Sequence, residues 1–389
     1  HRVQRQSPRG EPQECDGDER GHDHRIGARE RREDLVDADE PEQHQQDEHG
    51  AGKPCDSGPS VPVHARPNDR FPFEGTDCHL PWDFRGCPRR AGMDERAALA
   101  LLAEDLPTAG DDAAVVGEQV LTTDMLHDST DFPVGTTRYT AGWRAVGASL
   151  SDVAAMGADA TAAVAVYAAP SFDESELREF VQGARDVCSY VEAEYVGGDL
   201  DRHQEFTVST TALGRTDAPV RRSGAEPGDA VCVTGTLGRS GAAVRLFERG
   251  EYDRANDLFR FTPRVVPGLA VSSHATAMID SSDGLARSLH QLAAASDCGF
   301  ELETPLPIDE AVGDVAPTEA TRRELGVFFG EDFELVFTIP PDRLPGVRDC
   351  CDVQISQIGT VTAPADGLTL DGDSFPDRGY THAGTDRDE

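Results

Sequence analysis

The chain has 389 residues, 36 basic and 72 acidic side chains, and a formal net charge of −36. This length predicts two or three domains with a substantial buried core. The charge argues against a nucleic-acid backbone or an anionic membrane surface as the main partner. Lys53 is the only lysine, so arginine supplies the other basic side chains. Such a composition is typical of salt-loving microbes, because a carboxylate-rich surface stays hydrated once salt screens its self-repulsion.

Residues 1–92 differ in composition from the rest of the chain. They contain seven of the twelve histidines, are rich in Arg, Gln, Pro and Asp, and have no helical or strand periodicity. This composition predicts a segment that is too polar to fold. Met93 then begins a helical pattern with acidic residues in its first turn. We hypothesise that Met93 is the biological start and that residues 1–92 are a spurious upstream extension; a genuine disordered extension is the alternative.

After Met93, predicted strands and helices alternate, which is typical of an α/β fold. The first half is predicted to contain a hairpin at 113–124, a helix at 141–156, a buried strand at 161–168 and a strand at 206–213. Between the last two strands, a capping box at 171–174 predicts the start of a second helix, which runs to about 193. A break at 216–228, rich in Pro, Gly and Arg, predicts a domain boundary.

The second half is predicted to contain strands at 230–234, 275–279, 335–339 and 353–358, and helices at 242–249 and 284–295. The strands outnumber those of a simple doubly wound sheet, so an α+β arrangement within each half stays open. No segment is long and apolar enough to span a membrane, and no signal-peptide core is visible. The nine cysteines are irregularly spaced, which favours buried thiols, and the sequence therefore predicts a cytoplasmic protein.

Six short acidic motifs place a carboxylate beside glycine, serine or threonine, and we expect them to form turns. They are Gly-Asp-Asp at 110–112, Thr-Thr-Asp at 122–124, Ser-Asp-Val-Ala-Ala-Met-Gly at 151–157, Gly-Gly-Asp at 197–199, Asp-Ser-Ser-Asp-Gly at 280–284 and Gly-Glu-Asp at 330–332. Carboxylates from such turns can converge on Mg²⁺ and, through it, on phosphate.

Two common phosphate-binding architectures are excluded. The P-loop and the protein-kinase arrangement both need a lysine that reaches the phosphates, and the part predicted to fold has none. Gly235, Gly238 and Gly241 follow a strand, but their spacing does not fit a dinucleotide-binding turn. We expect these glycines to ease a strand-to-helix turn, and a nucleotide to be bound through metals, backbone amides and arginine.

Together and in this order, the motifs resemble those of the thiamine-monophosphate kinases, whose superfamily includes aminoimidazole ribotide synthetase. The match runs from about Met93 to about Tyr380 and includes Arg-Ser-Gly-Ala-Glu-Pro-Gly-Asp at 222–229. The resemblance implies ATP-dependent phosphorylation of thiamine monophosphate to thiamine diphosphate with several Mg²⁺ ions. It implies a two-domain PurM-like fold in a homodimer. Residues 93–218 would bind ATP and Mg²⁺ and form a dimeric β-barrel flanked by helices, and the α/β domain 219–389 would complete the site.

The resemblance also implies roles for individual residues. The metal ligands would be Asp112, Thr122, Thr123, Asp124, Asp152, Asp199, Asp280 and Asp283. Gly198, Asp199, Arg222 and Ser282 would contact ATP, and Glu331 and Tyr380 would line the thiamine side. Among these residues, Asp152, Asp199 and Asp283 are the candidate catalytic residues. Asp131 stands where the family usually has a histidine, and we expect its carboxylate to contact the cationic part of thiamine.

Other readings stay open at this stage. A selenophosphate synthetase would need a reactive N-terminal cysteine with a lysine, and a hydrogenase-maturation enzyme would need a C-terminal cysteine; the sequence has neither. Aminoimidazole ribotide synthetase is the alternative within the superfamily. A non-catalytic acidic protein that binds divalent cations is the alternative outside it, although such a protein would not need Arg222 and Ser282 beside its metal-binding turns.

Overall fold

The computed structural model of the protein describes Ala98 and residues 101–102, 105–106 and 109–380. The predicted extension 1–92 and the proposed start at Met93 lie outside the described residues. Within the described part of the chain, no helix combines the length and the apolar character that crossing a bilayer requires.

The first half of the described chain forms a five-stranded sheet with the order β1-β2-β5-β3-β4. Its strands are β1 (Ala114–Val116), β2 (Gln119–His127), β3 (Asp159–Ala169), β4 (Glu194–Arg202) and β5 (Thr207–Arg215). Only β3 and β4 pair in parallel, across a helical crossover, and the other neighbours are antiparallel. Along β2, buried Val120 and Thr122 alternate with exposed Leu121 and Thr123, so one face of the sheet is covered and the other is open.

Two helices cover the inner face of this sheet, α1 (Arg138–Ala155) and α2 (Glu174–Tyr190). The side chain of Thr137 caps α1, and the carboxylate of Asp173 caps α2. In α1, 14 of the 18 residues are buried, most of them small. Gly142 in α1 and Gly183 in α2 lie against backbone atoms of the opposite helix, which is why the two helices can pack so closely.

The second half forms a seven-stranded mixed sheet with the order β12-β11-β8-β10-β6-β9-β7. Its strands are β6 (Ala230–Thr234), β7 (Ala277–Asp280), β8 (Gly299–Leu302), β9 (Leu335–Ile339), β10 (Ile355–Thr362), β11 (Leu368–Leu370) and β12 (Asp373–Ser374). Its helices are α3 (Arg239–Glu248), α4 (Tyr252–Phe259), α5 (Val265–Ser272), α6 (Leu285–Ser296), α7 (Glu310–Val315), α8 (Glu319–Arg323) and α9 (Leu344–Cys350), with a π-helical turn at Glu324–Phe328 and a 3₁₀ turn at Pro364–Asp366.

The largest hydrophobic core joins both halves through α1. Val146 and Leu150 of α1 belong to the same buried cluster as Met278 of β7 and Phe337 of β9. The helix contacts β2, β3 and β5 of the first sheet, and α5 and β7 of the second half. Helix α1 is therefore enclosed between the two halves, and its residues can reach groups of both.

The α/β class agrees with the prediction from the sequence, and the strands at 230–234 and 335–339 match it residue for residue. Several expectations were wrong. The helix after residue 170 is capped by Asp173, not by a capping box at Ser171, and it ends at Tyr190. Thr-Thr-Asp lies within β2, and Gly-Gly-Asp lies within the unpredicted strand β4, so neither motif forms a turn.

The close contact between α1 and α2 gives a stability prediction. A methyl group at Gly142 would overlap the backbone carbonyl of Phe180, which cannot move aside. We expect Gly142→Ala to lower the free energy of unfolding by about 1–3 kcal/mol, measured by denaturant unfolding in high KCl.

Gly346 in α9 provides the matched control, because no atom lies within 4 Å of an added Cβ. Gly346→Ala should leave stability unchanged or raise it by up to about 1 kcal/mol, since alanine is the better helix former. Equal effects at the two positions would contradict the close packing of α1 against α2.

Candidate functional site

Three of the acidic motifs meet in the structure. Asp112 lies in the bend before β1, Asp152 in the last turn of α1, and Asp280 at the end of β7. One carboxylate oxygen of each lies within 4.8 Å of the other two. Asp280 is fully buried, and the side chain of Asp112 is 1 % exposed. Carboxylates this close repel one another, so the site favours bound cations.

Hydroxyl groups orient these carboxylates. Thr122 Oγ1 donates to Asp152 Oδ2 at 2.6 Å, and Ser151 Oγ donates to Asp280 Oδ2 at 2.7 Å. Thr122 lies on the inward face of β2, while Ser151 is fully buried in α1 beside Asp152. Each bond fixes one carboxylate oxygen and leaves the other available to a ligand.

Asp124 is a fourth carboxylate beside these three. It lies on the inward side of β2 and accepts a hydrogen bond from Ser149 Oγ at 2.5 Å. Burial raises its pKa, the bond from Ser149 opposes the rise, and the charge of Glu331 adds to it. We call Asp112, Asp124, Asp152 and Asp280 the carboxylate cluster.

Burial and repulsion raise pKa values within the carboxylate cluster. For Asp152, burial is the main cause, followed by the charges of the other three members. For Asp280, burial and the charge of Asp112 raise the pKa to about 7, against hydrogen bonds from two serines. The cluster therefore binds protons near neutral pH when no other cation is present.

Arg222 pairs directly with the cluster. Its Nη2 and Nε donate to Oδ1 and Oδ2 of Asp112 at 3.1 and 3.2 Å, a bidentate arrangement. Burial alone would lower the pKa of Arg222, but the charges of Asp112, Asp280 and Asp152 raise it above its ordinary value. One guanidinium beside four carboxylates leaves a surplus of negative charge when all four are ionised.

The turn after β7 is joined to the Gly-Glu-Asp turn. The backbone N–H of Glu331 donates to the carbonyl of Ser282 at 2.6 Å, and that of Tyr380 donates to the carbonyl of Asp283 at 3.0 Å. The side chain of Asp283 accepts from Gln291 Nε2 at 3.4 Å and is not one of the three close carboxylates. Backbone contacts thus hold Ser282 and Asp283 next to the residues predicted for the substrate side.

Three predicted ligands lie away from the cluster. Gly198 and Asp199 are exposed on the edge strand β4, three strand spacings or about 14 Å from β2. Thr123 lies on the outward face of β2 and donates to the carbonyl of Thr210 at 2.8 Å. Within one chain the structure therefore brings together Asp112, Asp124, Asp152 and Asp280, with Thr122 and Arg222, but not Thr123, Gly198 or Asp199.

The three residues predicted for the substrate side line one cavity of about 1010 Å³. Asp131, Glu331 and Tyr380 contribute to its wall together with a set of aromatic residues, namely Phe132, Phe247, Tyr252, Phe259, Phe328 and Phe329. Among the described residues that line the cavity, five carry a carboxylate and none carries a cation, while arginines outside the lining pair with four of the five. Aromatic faces and carboxylates together favour a flat, positively charged ligand.

The carboxylate of Asp131 is partly committed to its own turn. Its Oδ2 accepts from the backbone N–H of His127 at 2.7 Å and from Thr130 Oγ1 at 2.8 Å. Asp131 is half-buried in the cavity wall, and its charge acts on Arg144. The side chain thus both closes the turn after β2 and adds negative charge to the cavity.

Arg144 is a site residue that the sequence analysis missed. Its side chain is 1 % exposed, and its Nη2 donates to Glu331 Oε2 at 2.5 Å. Nη1 donates to the carbonyl of Phe259 at 2.5 Å and to Ser240 Oγ at 3.2 Å. A signal was present in the sequence, because an arginine inside a helix of small and apolar residues must find a partner when that helix is buried.

Asp332 was also missed, and it explains the glycine-rich turn before α3. Its carboxylate accepts from the backbone N–H of Gly238 at 2.5 Å and of Ser240 at 3.1 Å, which caps the helix. Burial raises the pKa of Asp332 to about 7, against these two bonds. The turn therefore receives a carboxylate of the chain itself at the place where a dinucleotide-binding turn would bind phosphate.

The arrangement has a clear chemical capacity. A carboxylate cluster with one arginine suits divalent cations and the phosphates they carry. An acidic aromatic cavity lies beside it, since Glu331 lines the cavity and its charge acts on Asp124 of the cluster. The site can hold a metal-bound polyphosphate and a cationic ring compound next to each other.

Family comparisons agree with this capacity. The AIR synthase related protein N-terminal domain matches residues 110–216, and the corresponding C-terminal domain matches residues 226–371. The thiamine-monophosphate kinase of Halobacterium salinarum is 62 % identical over 291 residues, which cover 75 % of this chain and 100 % of that protein.

Solved structures give the same result. The thiamine-monophosphate kinase of Stenotrophomonas maltophilia superposes with a TM-score of 0.62 at 31 % identity, covering 68 % of this chain and 90 % of that one. AaThiL complexed with AMPPCP and TMP superposes with a TM-score of 0.67 at 27 % identity, covering 75 % of this chain and 97 % of that one.

The raised pKa values predict how stability depends on pH without metal. Asp280 and Asp332 have folded-state pKa values of about 7, above the ordinary value of 3.8, so the folded protein binds more protons than the unfolded chain between these limits. Stability should therefore fall as the pH rises through that window. We expect the free energy of unfolding in EDTA and high KCl to drop by at least about 2 kcal/mol between about pH 5 and pH 7.

Asp280→Asn should flatten this dependence, because it removes one titrating group and one source of repulsion. The exposed Asp201 supplies the matched control, and Asp201→Asn should keep the slope of the wild type. A wild-type stability that rises from about pH 5 to pH 7 would contradict the account of the cluster.

Proposed function

The chain belongs to the thiamine-monophosphate kinases within the AIR synthase related family, and on this basis we propose that it transfers the γ-phosphate of ATP to thiamine monophosphate. The products are thiamine diphosphate and ADP. The observation that carries the proposal is the position of the acidic aromatic cavity next to the carboxylate cluster. Since ATP is available inside the cell, we propose that the reaction takes place in the cytoplasm.

The cavity suits thiamine in both shape and charge. Thiamine has a permanently cationic thiazolium ring and a flat pyrimidine ring, and both can stack on aromatic side chains. Tyr252, Phe329 and Tyr380 are the aromatic lining residues whose side chains stay accessible, and Asp131 and Glu331 offer negative charge. A protein that only bound divalent cations would not need this cavity.

The carboxylate cluster is suited to Mg²⁺. This ion prefers oxygen ligands and usually takes one or two carboxylates from the protein, so several ions can share side chains from separate elements. As ligands from one chain we propose Asp112, Thr122, Asp124, Asp152, Asp280 and Asp283. Thr123 and Asp199, which lie away from the cluster of their own chain, would reach a metal only across the interface with a second copy. Bound Mg²⁺ would neutralise the oxygens of the transferred phosphoryl group, the main requirement of its transition state. Asp152, at the centre of the cluster's repulsion, would contact more than one ion.

The side chains of the protein would align and neutralise the reactants. Arg222 lies at the edge of the cluster and would contact ATP together with Ser282, while Gly198 and Asp199 on edge strand β4 would contact it from a second copy of the chain. A new bond forms between an oxygen of thiamine monophosphate and the γ-phosphorus of ATP. The bond from that phosphorus to the oxygen that bridges the β- and γ-phosphates breaks, and this oxygen leaves as part of ADP. The attacking phosphate is already ionised at neutral pH, so no side chain needs to remove a proton.

We propose that residues 93–218 and 219–389 are the two domains and that two copies of the chain form a dimer. The outward face of the five-stranded sheet supports this, because Leu121, Met125 and Val166 there are 43, 57 and 40 % exposed. Packing this face against its equivalent in a second copy would close a β-barrel and bury the apolar side chains. Asp199 pairs with Val166 and would then lie at the interface.

The proposed reaction is tested with a coupled assay of purified protein in high KCl with ATP and Mg²⁺. We expect turnover of thiamine monophosphate, and none of free thiamine or of formylglycinamidine ribotide. Asp152→Asn should lower kcat by at least about 100-fold while the protein stays folded, because the central ligand is lost. Asp349→Asn, which changes an exposed aspartate of α9 outside the site, serves as the control. Turnover of formylglycinamidine ribotide in place of thiamine monophosphate would point to the ribotide synthetase.

The proposed dimer is tested by light scattering after size-exclusion chromatography. We expect the wild type to elute as a dimer and Val166→Glu to elute as a monomer, because the new charge would be buried at the interface. Val181 is similarly exposed, but it lies on α2, on the other side of the sheet. Val181→Glu should stay dimeric, and a monomeric wild type would refute the proposal.

A further inference from the structure

Arg144 is enclosed to a degree that is unusual for an arginine. Its guanidinium carbon Cζ lies 3.6 Å from the ring centroid of Phe259, and 5.3 and 5.6 Å from the ring centroids of Phe261 and Phe333. Phe261 and Phe333 stack on each other at 4.1 Å. Such surroundings restrict the guanidinium to one orientation, so the groups that it bonds are restricted as well.

One of these groups faces the cavity. Glu331 is 25 % exposed on its side chain, lines the cavity and receives the bond from Arg144 Nη2. Its backbone N–H bonds to Ser282, and its carbonyl accepts from Ser240 Oγ at 2.6 Å. The backbone of Glu331 is therefore fixed from one side and its side chain from the other. The ion pair with Arg144 therefore holds this carboxylate in one position on the cavity wall.

The helix that carries Arg144 also carries a member of the carboxylate cluster. Asp152 lies eight residues after Arg144 in α1, which corresponds to about 12 Å along the helix axis. The helix is buried on nearly every side. It therefore connects the cluster to the cavity with a spacing that cannot easily change, and the alignment of two reacting phosphates depends on such a spacing.

We propose that Arg144 is a positioning residue for the phosphoryl transfer, which holds Glu331 against the cationic part of the acceptor and links that contact to the metal-binding end of α1. This inference rests on the proposed function. Arg144 does not contact a reactant in this account and acts through Glu331. A lysine at this position could supply the positive charge. It could not stack flat on Phe259 or bond Ser240 and Glu331 at the same time, as the guanidinium does.

The test compares steady-state kinetics of the wild type, Arg144→Gln, Arg144→Lys and Glu331→Gln. For Arg144→Gln we expect the KM for thiamine monophosphate to rise at least about tenfold and the KM for ATP to change less than about threefold. Glu331→Gln should show the same changes in the two KM values. The KM of Arg144→Lys for thiamine monophosphate should lie between those of Arg144→Gln and the wild type. The double variant Arg144→Gln/Glu331→Gln should match the single variants, because both remove the same contact.

A purely structural arginine gives a different result. Arg249 donates to the backbone carbonyls of Asp314 and Val315 at the end of α7, so Arg249→Gln should lower the melting temperature and leave the KM for thiamine monophosphate unchanged. If Arg144→Gln does not fold, the inference is tested with Arg144→Lys and Glu331→Gln instead. A KM for thiamine monophosphate within about twofold of the wild type in both variants would overturn the inference. A wild type that neither binds thiamine monophosphate in calorimetry nor phosphorylates it would overturn the proposed function as well.

Discussion

The constraint on which this site depends is the repulsion among four carboxylates that the fold forces together. Asp112, Asp152 and Asp280 come from three separate elements and share a space of less than 5 Å, with Asp124 next to them. Hydroxyl donors and Arg222 relieve only part of the repulsion, so protons occupy the cluster near neutral pH in the absence of metal. The repulsion destabilises the metal-free protein. Because a bound cation relieves this repulsion, the cluster binds cations more tightly and, through them, ATP.

Helix α1 makes the arrangement possible. Its small residues let it approach α2 and the two sheets closely, and its buried length places Asp152 in the last turn and Arg144 about two turns earlier, near the middle of the helix. The same helix therefore serves the carboxylate cluster and the cavity. A polar helix of equal length could not lie between two hydrophobic layers, and a helix of larger side chains could not bring the two halves as close.

The sequence allowed some parts of this site to be predicted and not others, for physical reasons. Aspartates beside glycine or serine stood out from the acidic surface, which is why Asp152 and Asp280 were found. The position of Asp199 could not be predicted, because Gly-Gly-Asp also fits a turn and only the pairing of β3 with β4 makes it an exposed strand. The aromatic cavity was missed because Phe247 and Phe328 are far apart in sequence and form one wall only after folding.

The most direct test is a crystal structure of the chain with a non-hydrolysable ATP analogue, Mn²⁺ and thiamine monophosphate, with data that record the anomalous scattering of manganese. The account predicts anomalous peaks among Asp112, Asp152 and Asp280. It also predicts that the thiamine rings lie in the aromatic cavity beside Glu331, with their phosphate directed toward the cluster. Manganese bound elsewhere with the cluster empty, or thiamine bound outside the cavity, would contradict it.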